Sequence, residues 1–146
     1  MNLFGVLDIN SSALTAERER AEVVASNLAN AETTRTPGGG PYKKQLVVFE
    51  TERAGGGKFA ETLSSLDDLH ARGVKVAQVL EDKAPAVRRY EPGHPDADAD
   101  GYVSLPDINP VEEMVNLMGA AQAYQLNVSA VQATKGMIAE TIQILT

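Results

Sequence analysis

The sequence has no cysteine and no tryptophan among its 146 residues. The missing thiols exclude disulfides, thiolate catalysis and cysteine-ligated zinc together. Four Tyr and three Phe are the only aromatic side chains, so apolar contacts must be built from Ala, Val, Leu, Ile and Met. That composition suits helix-on-helix packing better than a bulky ligand pocket. Positive charge is also scarce: 13 Lys and Arg stand against 20 Asp and Glu, for a formal net charge of −7 and a pI near 4.8. Such a chain repels phosphates, so neither nucleic acid nor an anionic membrane surface is expected as a partner. The amino terminus, Met1 to Asp8, has neither the basic start nor the apolar run of a cleaved secretory signal.

What remains divides into three stretches within the span of one ordinary domain. From about Ile9 to Thr34, Leu14, Ala21, Val24, Leu28 and Ala31 recur at helical spacing, with Asn10, Ser11 or Ser12 available as a cap. Pro37 and then Gly38 to Pro41 forbid continuation, so the helix should fade near Thr33 to Thr36. The middle, from Pro37 to about Pro106, is turn-rich. Tyr42–Glu50, Val74–Leu80, Ala86–Tyr90 and Tyr102–Leu105 read as four short strands. Gly55–Gly57 is a break, and Phe59–Ala71 could form a short helix.

The third stretch carries the strongest pattern. Asn109, Pro110 and Glu112 supply a cap, a proline at the first helical position and a carboxylate at the third. Thereafter Met114, Leu117, Ala121, Tyr124, Val128, Val131, Lys135, Ile138, Ile142 and Leu145 are spaced alternately by three and four. Only Lys135 interrupts this apolar seam, which predicts a coiled-coil partner. A helix from Pro110 to Leu145 would be about 54 Å long, longer than a small globule can cover. Residues 114–134 carry no charge, yet Asn116, Gln122, Gln125, Asn127 and Gln132 argue against a membrane span. An uncharged helix rich in amides is one surrounded by protein. The expected fold class is α+β: long N- and C-terminal helices forming an antiparallel coiled-coil pair, with a small inserted β-rich domain. The expected divisions are 1–36, 37–108 and 109–146.

Chemical motifs are few. His70 and His94 stand apart, without the partners of a zinc site. Gly55-Gly56-Gly57-Lys58 lacks the earlier glycine and the following Ser or Thr of a phosphate loop, since Glu52 and Phe59 occupy those places. Asp96, Asp98, Asp100, Gly101, Ser104 and Asp107 fall on positions 1, 3, 5, 6, 9 and 12 of a calcium loop. The preceding Glu91-Pro92-Gly93-His94-Pro95 cannot form the entering helix of an EF-hand, which favours a solvated acidic turn. A calcium-binding interaction module using Asp96–Asp107 is the alternative reading. No catalytic constellation, cofactor motif or metal set is present in the sequence, so no enzyme activity is expected.

The residues from Val24 to Ala31 (VASNLANA), followed by Thr33 to Tyr42 (TTRTPGGGPY), resemble the amino-terminal signature of flagellar axial proteins. Asn109 to Met118 (NPVEEMVNLM), with Ala123 to Asn127 (AYQLN), resembles the matching carboxyl-terminal signature. Pro92 to Val103 (PGHPDADADGYV) is similar to a segment typical of a proximal-rod member of that family. The chain length agrees, because hook and distal-rod relatives are longer. The resemblance implies a structural subunit of the bacterial flagellar basal-body rod. Its terminal helices would pack with other copies of itself and with neighbouring rod proteins, with the β unit outside. It also implies passage through the flagellar type III export apparatus without a cleaved signal peptide, to a periplasmic rod that carries torque. In that reading Asn27 and Asn30 hydrogen-bond where the first helix ends, and Tyr124, Gln125 and Asn127 contact adjacent helices. Gln122 stands where the family often has Arg, so no ionic contact is assigned there.

Overall fold

A computed structural model of the chain describes residues 3–51 and 73–144. Gly55 to Lys58, the helix expected over Phe59–Ala71, His70 and Leu145 lie outside the described residues. Two long helices flank four strands: α1 (Leu3–Ala29), β1 (Gln45–Thr51), β2 (Val74–Glu81), β3 (Val87–Tyr90), β4 (Tyr102–Leu105) and α2 (Pro110–Ile144). The α+β class therefore holds. The chain separates into two compact units, one drawn from residues 1–19, 48–78 and 120–146, the other from 20–47 and 79–119.

In the first unit, α1 starts six residues earlier than the sequence predicts. Ser12 does not cap it. Its hydroxyl donates to the Ile9 carbonyl at 2.8 Å and accepts from the Val74 amide at 3.1 Å, so it serves as a bracket from mid-helix to β2. Thr15 likewise donates to the Ser11 carbonyl. Among its described residues, the buried side chains of this unit are small: Ala16, Ala120 and Thr134.

In the second unit, α1 ends at Ala29, several residues before the expected fade. Asn30 closes the last turn: its backbone amide and its side-chain amide both donate to the Ser26 carbonyl, at 3.1 and 2.9 Å. Thr33 then donates to the Asn30 side chain and Tyr42 to the Thr33 carbonyl. Between them the chain reverses at Gly39 and Gly40, both at positive φ. At the far end α2 begins as predicted: Asn109 Oδ1 accepts from the Val111 amide at 3.0 Å.

Among the described residues the strands form two separate two-stranded sheets, β1–β2 and β3–β4, rather than one four-stranded unit. Lys43 faces Glu81 at 3.2 Å and Lys75 faces Glu50 at 3.9 Å, the offsets of an antiparallel ladder. β3 and β4 pair antiparallel from Val87 with Leu105 to Tyr90 with Tyr102. Val103 and Leu105 point inward, whereas Tyr102 and Ser104 point out, the two-residue alternation of a half-buried strand. Tyr90 and Tyr102 meet edge to face at 5.3 Å, and the Arg88 guanidinium lies 4.9 Å over the Tyr102 ring.

The connection from β3 to β4 closes at Gly101, whose φ is +82°. A Cβ there would sit 2.9 Å from Tyr90 Cε2 and 3.2 Å from Pro92 Cβ. Gly101→Ala should therefore destabilise the protein by about 1–3 kcal/mol. Gly93→Ala, with open space around it, should be near neutral. Thermal denaturation of the two variants measures the difference.

Candidate subunit interface

Two features of the second unit dominate, a buried polar cluster and an uncovered apolar stripe. The cluster is centred on Asn27, which is 1% exposed. Its amide pairs with the backbone of Gln45 as a neighbouring strand would: Nδ2 donates to the Gln45 carbonyl at 2.8 Å, and Oδ1 accepts from the Gln45 amide at 2.8 Å. Oδ1 also accepts from the Tyr42 hydroxyl at 3.2 Å, which lies 3.3 Å from Ser26 Oγ. Asp could not donate in this arrangement. Asn27 thus ties the end of α1 to the start of β1, and the strand begins three residues later than the sequence predicts.

The same Nδ2 reaches Glu113 Oε2 at 3.3 Å, and Lys44 Nζ lies 2.9 Å from Glu113 Oε1. Glu113 is 1% exposed and Lys44 is mostly covered. The hydrogen bond from Lys44 to Glu113 holds the ammonium above its ordinary pKa, with the charges of Glu113, Glu112 and Asp82 adding to it and burial opposing. As Glu113 lies in the first turns of α2, its anion also meets the positive end of the helix dipole.

The stripe runs along α2. Val111, Met114, Val115 and Met118 follow helical spacing and are all exposed, Val111 at 67% and Met118 at 72%. Farther along α2, in the first unit, Leu126, Met137 and Ile144 are exposed as well. The covered face is the opposite one. It holds Glu113, Asn116, Ala120, Ala123, Asn127, Ala130 and Thr134, all buried or half-buried. Asn127 and Thr134 satisfy themselves on the carbonyls four residues back, at 3.0 and 2.9 Å. In its first turns the helix therefore turns Glu113 inward and Val111, Met114, Val115 and Met118 outward.

This displaces the predicted seam. The covered line lies one residue before it at most positions, and the seam residues fall on a flank. Met114, Ala121, Tyr124, Lys135 and Ile142 are exposed, while Leu117, Val128, Val131 and Ile138 are half-buried. Gln125 is exposed and Asn127 half-buried. On α1, Val24 is buried and Leu14, Ala21 and Leu28 are half-buried. Ala31, just past the helix end, is half-buried as well. The structure brings Asn27 to the centre of the polar cluster and leaves Asn30, half-buried, at the helix end. Lys44, Gln45 and Glu113 were missed by sequence reasoning. Glu113 had a signal, as a charge at the edge of a long uncharged run; Gln45 contributes only backbone atoms and had none.

The acidic loop turns its oxygens to protein donors. Asp96 accepts from the Thr34 hydroxyl at 2.8 Å and faces Arg35 at 3.4 Å. Asp98 accepts from the amides of Tyr102 and Asp100 and from Arg88. The Tyr102 amide is the first cause of its lowered pKa. His94 Nδ1 accepts from the Asp96 amide. Among the described residues, no three acidic, histidine or cysteine side chains form a group that could hold a metal. Nor is any helix among them long and apolar enough to cross a membrane.

Two family models match the chain: "Flagella basal body rod protein" over residues 7–35 and "Flagellar basal body rod FlgEFG protein C-terminal" over residues 99–144. Along 99% of its length the chain is 43% identical to the flagellar basal-body rod protein FlgC of Escherichia coli O6:H1, covering 98% of that protein. It is 39% identical to FlgC of Borreliella burgdorferi and 37% identical to FlgC of Bacillus subtilis, covering 99% of each. The chain belongs to the FlgC family of flagellar basal-body rod proteins. The first matched segment covers most of α1 and the turn after it, the second β4 and α2, and Asn27 and Glu113 each lie inside one. The similarity to FlgC proteins also runs through the β region, including the loop from Pro92 to Val103.

Removing the central amide strands several partners at once. Asn27→Ala should cost about 2 kcal/mol or more, because it leaves buried groups of Gln45 and Glu113 unsatisfied; urea denaturation measures it. The raised pKa of Lys44 gives a second expectation. Its contribution to stability is fully present below the unfolded lysine value of about 10.4 and is lost as pH rises through the higher folded value. Denaturation midpoints above about pH 10.4 should therefore fall less steeply with pH in Lys44→Met than in the parent chain.

Proposed function

We propose that this chain is a structural, non-catalytic subunit of the bacterial flagellar basal-body rod, assembled through its terminal helices. Residues 1–36 and 109–146 supply the packing helices, paired with one another and with neighbouring subunits, and residues 37–108 form the part that lies outside them. The neighbours are further copies of the chain and other rod proteins. The subunit reaches the periplasmic rod through the flagellar type III export apparatus, without a cleaved signal peptide. Once in place it passes torque through many distributed helix contacts.

One observation carries this reading beyond family membership: the first turns of α2 expose Val111, Met114, Val115 and Met118 on the side away from the buried Glu113. Large apolar patches on an isolated chain mark surfaces that another protein covers. The flank bearing Tyr124, Val128 and Val131 is only partly covered and gives a second contact line. The calcium-binding alternative has no such support, since Asp96 and Asp98 already have protein donors.

Val115→Asp with Met118→Asp should leave the isolated chain folded, because both side chains are exposed. Their charges would nevertheless be desolvated at any helix contact. The expected outcome is an unchanged circular dichroism spectrum and melting temperature, with loss of incorporation into purified basal bodies and of swimming. Normal incorporation of the double variant would refute assembly through this face.

A further inference from the structure

The first two turns of α2 are attached in an unusual way. Between Pro110 and Gly119 the only fully buried side chain is a carboxylate, Glu113, whereas Val111, Met114, Val115 and Met118 face outward. Burial of apolar area, which seats most helices, is thus on the wrong side here. What Glu113 reaches instead is the ammonium of Lys44, at the entry to β1, and the amide of Asn27, near the end of α1. Asn27 is in turn fixed by both backbone groups of Gln45.

We infer that Asn27, Lys44 and Glu113 form a polar latch that seats the start of α2. The latch closes only when the end of α1 and the entry to β1 are already in register. Each of the three elements contributes one member, and only Glu113, which meets both Asn27 and Lys44, needs the other two in place. An apolar contact tolerates sliding by one residue or one turn; a buried ion pair does not, because a displaced member is left desolvated and unpaired. The latch therefore sets the register of the exposed Val111–Met118 stripe relative to the β1 strand. Release would free that end of the helix without requiring the β3–β4 sheet to open. The inference stands independently of the rod assignment, since it concerns the chain by itself.

The test is hydrogen exchange by mass spectrometry on the full-length chain, comparing Lys44→Met, Glu113→Gln and the double variant. Lys44→Met strands a buried carboxylate and should speed exchange across residues 110–118 by about tenfold or more, with residues 87–105 unchanged. Glu113→Gln keeps an acceptor for Asn27 and should have a smaller effect. In the double variant no charge is stranded, so exchange over 110–118 should return toward the parent rate, below that of Lys44→Met alone. A double variant whose effect is the sum of the two singles would overturn the latch. So would Lys44→Met exchanging at the parent rate over 110–118, or accelerating uniformly over the whole chain. The overturning outcomes say nothing about incorporation into basal bodies, which is read separately by the aspartate variants.

Discussion

A single side-chain amide takes the place of a β-strand neighbour. Asn27 offers one donor and one acceptor at the spacing of a peptide group, and the backbone of Gln45 uses both. Without it the half-buried start of β1 would have an amide and a carbonyl with no protein partner, and backbone groups shielded from water are expensive to leave unpaired. Tyr42 and Glu113 attach to the same amide, so the turn after α1, the first strand and the second helix share one fixed point. The surrounding polar order follows from that pairing. Lys44 can be partly covered because Glu113 neutralises it, and Glu113 can be buried because Asn27 and Lys44 take its two oxygens.

Much of this was legible in the sequence. The helix-start signal at Asn109 and Pro110 and the β4 span at Tyr102–Leu105 were read at their observed places. Both rest on local chemistry, a cap and a two-residue alternation. The errors arose where a side chain looked local but served a distant partner. Ser12 resembles a cap, yet its hydroxyl bridges to Val74, 62 residues away. The displaced seam on α2 has a different origin. Apolar residues lie on nearly every face of that helix, so the heptad count finds a line that is real in spacing but does not mark the covered side. The covered side includes Ala120, Ala123 and Ala130, whose small side chains allow close approach.

The family relationship and the physical reading meet on α2. A helix that keeps Glu113, Ala120 and Thr134 inside while presenting Val115, Met118 and Leu126 outside is poorly explained as part of a solitary globule. It is well explained as one strut of a larger array. The paired carboxylates of the Asp96–Asp107 loop, the most suggestive chemical motif in the sequence, turn out to be structural. They fasten the loop to Thr34 and Arg35 and order the approach to β4.

The opposition of the two α2 faces has an evolutionary corollary. Under the assembly proposed above, changes around Glu113 and Ala120 would alter whether the subunit folds, and changes at Val111, Val115 and Met118 would alter only which surface it fits. The two requirements draw on separate sets of positions along one helix and can drift independently. A lineage could exchange Val115 or Met118 to match an altered neighbour while Ala120 and Glu113 stay fixed. In such a subunit, assembly specificity is written on residues that folding leaves free.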